Sequence, residues 1–161
     1  MNELRVIAIT HKNFSLEEIG KFHIAPEHRI QALSGLKETL GLSEIMFLST
    51  CNRVEIIFSQ PHYVCPGQST IILKSLYPTL QDHFIKEVAH KADRYNGSES
   101  AEHLLRVASG LESLVIGERE IITQLRKSYE ECAAANLCGD NTRIAIAQCI
   151  KTAKEIFTHT E

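Results

Sequence analysis

Two apolar segments separated by a short polar stretch constrain the fold of this chain more than any other feature. Residues 45–48 (Ile-Met-Phe-Leu) and 54–58 (Val-Glu-Ile-Ile-Phe) have the composition of β-strands. Between them lie Ser-Thr-Cys-Asn-Arg, residues 49–53. So short a connection predicts two paired strands. It also places Cys51 on a turn that two strands hold in place while the thiol stays open to a substrate.

The first half of the chain alternates strand and helix patterns around this hairpin. Residues 4–9 form a first strand, and 11–25 are predicted to be a loop with one helical turn. A first helix begins at Pro26 and ends at Gly41. After the hairpin, three further segments are predicted: a loop over 61–67, a second helix over 69–80 and a fourth strand within 84–95. The order β-α-β-β-α-β predicts a ferredoxin-like antiparallel sheet with both helices on one face.

The second half of the chain has helical patterns and no strand pattern. A turn over 96–98 precedes a helix, and the apolar stripe of this helix is interrupted at Gly110. Two more helices follow, separated by a break over 136–139. The fold class predicted is therefore α+β, with a ferredoxin-like part over residues 1–95 and a helical part over 96–161.

The composition is that of an ordinary globular domain. The chain has 161 residues, a 43% hydrophobic fraction and a formal charge of −3, which argues against a surface coated in basic residues. Five cysteines without a Cys-x-x-Cys pair predict reduced thiols and a cytoplasmic protein. No apolar run approaches the length of a membrane span, and the eight histidines lack metal-ligand spacing, so neither a membrane partner nor a metal is predicted.

Cys51 is the leading candidate for chemistry. A lone cysteine is most often a small buried hydrophobic residue, but a turn is a poor place to bury a thiol. A free thiol, with a pKa of about 8.5, needs a neighbouring cation or base to ionise at neutral pH. Arg53 offers a planar fork of donors that suits a carboxylate. A nucleophile beside a carboxylate receptor indicates acyl chemistry on an acidic substrate.

The partner base and the substrate wall are less sharply defined by the sequence. His103, early in the third helix, and His11, after the first strand, are the two candidate bases. His103 also fits a histidine on a helix surface. The polar residues of 109–113 and 117–120 fit either a wall of the substrate site or a solvated connection between helices, and their spacing leaves both interpretations open.

Three sequence motifs resemble those of the glutamyl-tRNA reductase family. They are Ser-Thr-Cys-Asn-Arg-Val-Glu at 49–55, His-Leu-Leu-Arg-Val-Ala-Ser-Gly-Leu-Glu-Ser at 103–113 and Gly-Glu-Arg-Glu-Ile-Ile-Thr-Gln at 117–124. Thr-His-Lys at 10–12 fits as well. The resemblance covers the whole chain and concerns the N-terminal catalytic domain of the family, whose ferredoxin-like sheet with appended helices agrees with the predicted strand order.

The resemblance implies a function and a set of site residues. Members of the family reduce glutamate esterified to its tRNA, with NADPH, to glutamate-1-semialdehyde in tetrapyrrole biosynthesis, on the way to 5-aminolevulinate. It assigns the nucleophile to Cys51, which would form a glutamyl thioester, and the activity-critical histidine to His103. It assigns substrate contacts to eight residues: Thr50, Asn52, Arg53, Ser113, Glu118, Arg119, Glu120 and Gln124.

The resemblance also implies components that this chain lacks. No Gly-x-Gly-x-x-Gly follows a strand, so the NADPH-binding domain, and with it the dimerisation domain, is predicted to lie outside these 161 residues. On this interpretation the chain is an excised catalytic domain without reductase activity of its own. Its implied partners are glutamyl-tRNA, a second copy in a full-length homodimer, and glutamate-1-semialdehyde aminomutase.

Two other functional classes remain open at the level of sequence. A thiol-dependent hydrolase of aminoacyl esters would use the same cysteine and histidine without a hydride step. A non-catalytic module that binds RNA or regulates an enzyme would need no thiol, so replacing Cys51 with serine would leave its activity intact.

Overall fold

The computed structural model describes residues 2–113 and 119–160, which form one antiparallel sheet and its covering helices. The strands are β1 (Leu4–Thr10), β2 (Glu44–Thr50), β3 (Arg53–Ser59) and β4 (Asp93–Asn96). The helices in the described part are α1 (Leu16–Gly20), α2 (Pro26–Leu40), α3 (Pro66–Leu76), α4 (Asp82–Lys91), α5 (Ser98–Ala108), α6 (Glu120–Ala134) and α7 (Asp140–Thr160).

The sheet confirms the predicted α+β fold class. Its strand order is β2-β3-β1-β4 and every neighbouring pair is antiparallel, as a ferredoxin-like β-α-β-β-α-β unit requires. In β2 and β3, Thr50 lies opposite Arg53, so a two-residue turn of Cys51 and Asn52 joins them. The two paired strands with a short connection, predicted from the apolar segments, are therefore confirmed.

The fourth strand predicted within residues 84–95 occupies only the end of that segment. The strand in that segment is confined to Asp93–Asn96, and α4 (Asp82–Lys91) precedes it. The buried residues of α4 are Ile85, Val88 and Ala89, whose spacing of three and four is that of a helix. This short strand lies at the edge of the sheet and pairs only with β1.

Helix ends also differ from the sequence-based boundaries. The helical turn predicted within the loop over 11–25 is α1, which begins after a reciprocal capping box between Ser15 and Glu18. The second predicted helix begins at Pro66, earlier than expected, because proline fits the first turn of a helix. It ends at Leu76, and α4 occupies the space between it and β4.

Helices cover both faces of the sheet. One face, here called the α2 face, carries Ile7, Phe47 and Ile56, and Arg29 of α2 lies over the Phe47 ring. The opposite face, called the α5 face, contains Glu55, which contacts His103 of α5. Consequently β1 and β3 are buried along their whole length. An antiparallel sheet often leaves one face in water, and here α5 and α7 cover that second face.

The last two helices are attached to the edge and the α5 face of the sheet. The backbone N–H of Ile45 in β2 donates to the carbonyl of Leu137, between α6 and α7, at 2.8 Å. Glu44 accepts hydrogen bonds from the start of α7. This covers the open edge of β2, which would otherwise expose unpaired backbone groups. Within the described residues, no helix is both long and apolar enough to span a membrane.

Candidate active site

The turn that carries Cys51 is held by hydrogen bonds on both sides of the thiol. The Thr50 hydroxyl donates to the Asn52 side-chain oxygen at 2.9 Å, and the backbone N–H of His11 donates to the Asn52 carbonyl at 3.1 Å. The side chain of Cys51 itself is exposed. A thiol is therefore displayed on a short rigid turn between two buried strands.

Exposure separates Cys51 from most of the other cysteines. Burial raises the pKa of Cys132 and of Cys149 to about 11, and it also raises the pKa of the half-buried Cys138. A raised pKa lowers the fraction of reactive thiolate at neutral pH. Cys65, just before α3, is the other exposed thiol. Cys51 and Cys65 are thus the two cysteines that a macromolecular substrate can reach.

Immediately after the turn, the charged side chains form a buried network. Arg53 and Glu55 are 1% and 0% exposed, and the Arg53 guanidinium donates to Glu55 Oε2 at 2.5 Å. The same guanidinium donates to the backbone carbonyl of Glu112. The other carboxylate oxygen of Glu55 bonds His103 Nε2 at 2.6 Å, and the Tyr95 ring stacks on His103 with centroids 4.1 Å apart.

The network keeps Glu55 ionised in the protein interior. Burial by itself opposes the charged carboxylate, but His103 and Arg53 outweigh it and lower the pKa of Glu55 to about 2. The network connects β3, helix α5 and the segment after α5 at one point. Because this point adjoins the Cys51 turn, the network fixes the end of the hairpin relative to both.

Glu112 connects the same region to the surface. Its carboxylate pairs with Lys12 and accepts from Arg106 Nε at 2.8 Å. Although burial opposes ionisation, these two cations lower the pKa of Glu112. Glu112, Tyr95 and His103 help line a polar cavity of about 260 Å³.

A second polar cavity, which we call the Arg29–Lys127 cavity, opens on the other side of the hairpin. It measures about 300 Å³ and is lined by Pro26, Arg29, Ser49, Gln124, Lys127, Ser128 and Glu131. Ser49 lies two residues before Cys51 in the same hairpin. The Arg29–Lys127 cavity therefore shares the hairpin of the exposed thiol and has two cations in its wall.

Comparison with known proteins identifies the family. The family model described as "Glutamyl-tRNAGlu reductase, N-terminal domain" matches residues 7–160. This chain belongs to that family. A glutamyl-tRNA reductase from Campylobacter concisus is 32% identical over 156 residues, 96% of this chain and 36% of the relative. One from Methanopyrus kandleri is 31% identical over 154 residues, 96% of this chain and 33% of the relative.

A solved structure supports the same assignment. Glutamyl-tRNA reductase from Methanopyrus kandleri superposes with a TM-score of 0.74 at 30% identity, covering 96% of this chain and 34% of that one. This chain thus spans about a third of the length of the reductases it matches. The family resemblance predicted from the three motifs is confirmed.

The structure brings together only some of the site residues predicted for a glutamyl-tRNA reductase domain. Thr50, Asn52 and Arg53 adjoin Cys51, and Gln124 lies in the Arg29–Lys127 cavity near the same hairpin. Ser113 closes the turn after Gly110, one residue beyond the carbonyl that Arg53 binds. Their contacts with a substrate stay predictions.

The remaining predicted residues are placed differently. His103 lies against Glu55, and within residues 2–113 and 119–160 no hydrogen bond joins it to Cys51. Arg119 lies over the ring of Phe157 and donates to its carbonyl at 3.3 Å, so it faces the end of α7. Glu120 is exposed at the start of α6, and Glu118 lies outside the described residues. The substrate roles of these residues remain untested predictions.

Sequence reasoning missed two members of the site. Glu55 and Glu112 were not selected, although Glu55 interrupts the apolar pattern of β3. A charge inside a strand that is otherwise apolar needs buried partners, and this signal points to Glu55. Glu112 had no comparable signal. In the described part of the chain, no cluster of three or more His, Cys, Asp or Glu residues has the arrangement of a metal site.

Proposed function

We propose that this chain is the acyl-transfer part of a glutamyl-tRNA reductase, with Cys51 as its nucleophile. The Cys51 thiolate attacks the ester carbonyl of glutamyl-tRNA and forms a carbon–sulfur bond. The carbon–oxygen ester bond breaks, and the terminal ribose oxygen leaves with a proton. A glutamyl thioester on Cys51 remains, which divides one difficult step into two easier ones.

The observation that carries this proposal is the exposed thiol on the rigid turn between β2 and β3. Of the two exposed cysteines, Cys51 lies in the hairpin that also carries Arg53 of the buried charged network and Ser49 of the Arg29–Lys127 cavity. A nucleophile needs this combination, because an ester must reach the thiol while the reacting atoms stay positioned. Cys65 has an exposed thiol without such surroundings, which makes it a matched comparison.

Within this proposal, His103 and Arg53 share a partner, because both side chains bond the Glu55 carboxylate. His103 acts through Glu55, which it touches, and so positions the strand that bears the nucleophile. Arg53 holds Glu55 and the 112 carbonyl in the structure described here. We further propose that Arg53 pairs with the substrate carboxylate, exchanging the backbone carbonyl for a charged partner.

The described residues do not fit a dinucleotide. Dinucleotide sites use parallel strands, a glycine-rich turn and a helix N-terminus, whereas all the strand pairs described here are antiparallel. We therefore assign only acyl transfer to this chain. Reduction to glutamate-1-semialdehyde with NADPH is proposed for the full-length reductase, with the cofactor held elsewhere.

The family assignment leads to three further proposals for the full-length protein. These are a homodimer, an interaction with glutamate-1-semialdehyde aminomutase, and a cytoplasmic location. The third agrees with five cysteines that are all free thiols.

The direct test is to trap the acyl-enzyme. Mixing the protein with glutamyl-tRNA and quenching in acid should give a glutamyl adduct on the peptide that contains Cys51, seen by mass spectrometry. Cys51→Ala should abolish the adduct, and Cys65→Ala should keep it. An adduct that persists in Cys51→Ala would overturn the assignment.

Hydrolysis offers a second readout of the same chemistry. Water is the abundant acceptor for a thioester on an exposed turn, so free glutamate should form slowly with or without NADPH. This is also where a thiol-dependent hydrolase differs, since its turnover would be fast and its adduct would not accumulate. Formation of the semialdehyde by residues 1–161 with NADPH would contradict the proposal that this chain carries out only acyl transfer.

A further inference from the structure

We propose that the Arg29–Lys127 cavity binds the phosphodiester next to the ester-bearing terminal nucleotide of the tRNA. This inference rests on the proposed function, because it takes glutamyl-tRNA as the substrate of Cys51. The substrate carries two anions near the ester. Arg53 is proposed to bind the glutamate carboxylate, and the Arg29–Lys127 cavity is proposed to bind the phosphodiester.

The chemistry of the cavity wall suits a phosphate group. Arg29 and Lys127 provide two cations, Gln124 and Ser128 provide neutral donors, and the Ser49 hydroxyl bonds His23 Nδ1. One carboxylate, Glu131, also lines the cavity and pairs with Arg29 at 3.1 Å. Because Glu131 offsets one cation, the wall retains the net positive charge that a singly charged phosphodiester requires.

One hydrogen-bond donor of the Arg29 side chain, Nε, has no acceptor among the described residues. The two terminal nitrogens bond Glu131 and the carbonyl of Ile24, whereas Nε is buried without such a partner. A buried N–H without an acceptor is costly, and a small rotation of the side chain lets a bound oxygen accept from it. The guanidinium lies over the Phe47 ring, 5.7 Å from its centroid, which limits that rotation.

The position of the cavity matches the covalent structure of the substrate. Ser49 in its wall lies two residues, or roughly 7 Å of extended strand, before Cys51. In an aminoacyl-tRNA the ester is on the terminal ribose, and the phosphodiester is attached to the same ribose a few covalent bonds away. An ester carbonyl at the Cys51 thiol therefore leaves its phosphodiester within reach of the cavity.

A second cationic cavity provides the comparison. Arg126 lies next to Lys127 in α6 but lines a different cavity of about 350 Å³, together with Arg119 and Lys154. The residues lining that cavity come from α6, α7 and residue 119, and none belongs to the Cys51 hairpin. Lys127→Ala and Arg126→Ala remove the same charge from neighbouring positions, so they separate a local phosphate contact from general attraction to a polyanion.

The test is the binding of the trinucleotide CCA, the 3′ end of tRNA, to the Cys51→Ser protein. Lys127→Ala should weaken its affinity about tenfold and lower the slope of log K against log salt by about 0.7, the value for one single-strand phosphate contact. Arg126→Ala should do neither. Equal losses in the two variants, or no loss in Lys127→Ala, would overturn the proposal.

Two further experiments identify which anion the cavity binds and exclude misfolding of a variant as the cause of weaker binding. Adenosine bearing a 3′-glutamyl ester has the carboxylate but no phosphodiester, so its reaction with Cys51 should depend far less on Lys127 than binding of CCA does. An equal dependence would assign the cavity to the carboxylate and reject the phosphate.

Arg29→Lys, checked for an unchanged circular dichroism spectrum, should also weaken the binding of CCA, since lysine lacks the Nε donor. If CCA binds as proposed but no adduct forms on Cys51, the proposed function fails and this inference stands.

Discussion

The two faces of the β-sheet are stabilised in different ways. On the α2 face, cross-strand neighbours such as Ile7, Ile56 and Phe47 are apolar and buried, and the buried Arg5 at one end donates to backbone carbonyls. On the α5 face, Glu44 and Glu55 are equally buried but charged, and each has several polar partners. Apolar packing tolerates small changes, whereas a buried charge depends on particular partners. The proposed acyl-transfer site lies at the end of the α5 face, where buried carboxylates depend on particular partners.

The largest expected effect is the removal of Glu55. Glu55→Ala leaves Arg53 and His103 buried without their carboxylate, so the free energy of unfolding should fall by about 3–5 kcal/mol. Ile56→Val, the next residue on the α2 face, should cost only about 0.5–1.5 kcal/mol. Urea unfolding measures both. Equal losses in the two variants would mean that the two faces do not differ in this way.

Acid should weaken the α5 face next. The pKa of Glu55 is lowered to about 2, so the folded protein takes up this proton less readily than the unfolded chain. The stabilisation is complete above pH 4.5 and is lost as the pH falls towards 2, by up to about 3 kcal/mol. Urea unfolding across this range should show the decline in the wild type and a shallower decline in Glu55→Gln. Identical slopes would contradict the lowered pKa.

Glu44 should give a smaller and more local effect. Its carboxylate accepts from the hydroxyl of Ser59 and from Gly139 and Thr142 at the start of α7, and these hydrogen bonds outweigh burial and lower its pKa. Glu44→Gln keeps one acceptor oxygen, so we expect a loss of about 1–3 kcal/mol.

Hydrogen exchange at the start of α7 localises the effect of Glu44. The amide of Thr142 should exchange faster in Glu44→Gln, because its acceptor is weakened. Asp140→Asn, at an exposed carboxylate that pairs with Arg143, should leave the exchange rate unchanged. Faster exchange in both variants would place the effect in helix propensity and not in the contact with the sheet.

The smallest effect is expected in the helices near the α2 face. Lys74 and Asp82 form a 2.6 Å pair between α3 and α4, with Asp82 76% exposed. Exposed pairs contribute little because water and salt screen them. Asp82→Asn should leave the unfolding midpoint in urea unchanged within error. A clear shift would show that ion pairs matter outside the α5 face as well.

Prediction from sequence succeeded where the signal was local. The hairpin around Cys51, the strand order and the start of α2 at Pro26 follow from apolar spacing and turn residues. It was less specific within 84–95, where the predicted strand is only the four-residue β4, which pairs with β1. A strand defined by a partner almost ninety residues away has little local signature.

The candidate site shows the same division. The position of Cys51 on a turn was predicted from the apolar segments that flank it. The partners of Arg53 were not predicted. Glu55 is only two residues away, but its position in the strand does not show what it pairs with, and Glu112 lies 59 residues further along the chain. An arginine near a cysteine suggested a carboxylate receptor, and the structure shows in addition that it stabilises a buried acid.

The sequence alone determined the family, the α+β class and the candidate nucleophile, because each is written in contiguous motifs or in spacing along one element. Only the tertiary structure decided that His103 bonds Glu55 across 48 residues and that helices α5 and α7 bury the polar face of the sheet. The physical reason is that local spacing fixes which side of an element is apolar. Which charges become partners depends on how the elements pack, and burial then makes those pairings obligatory.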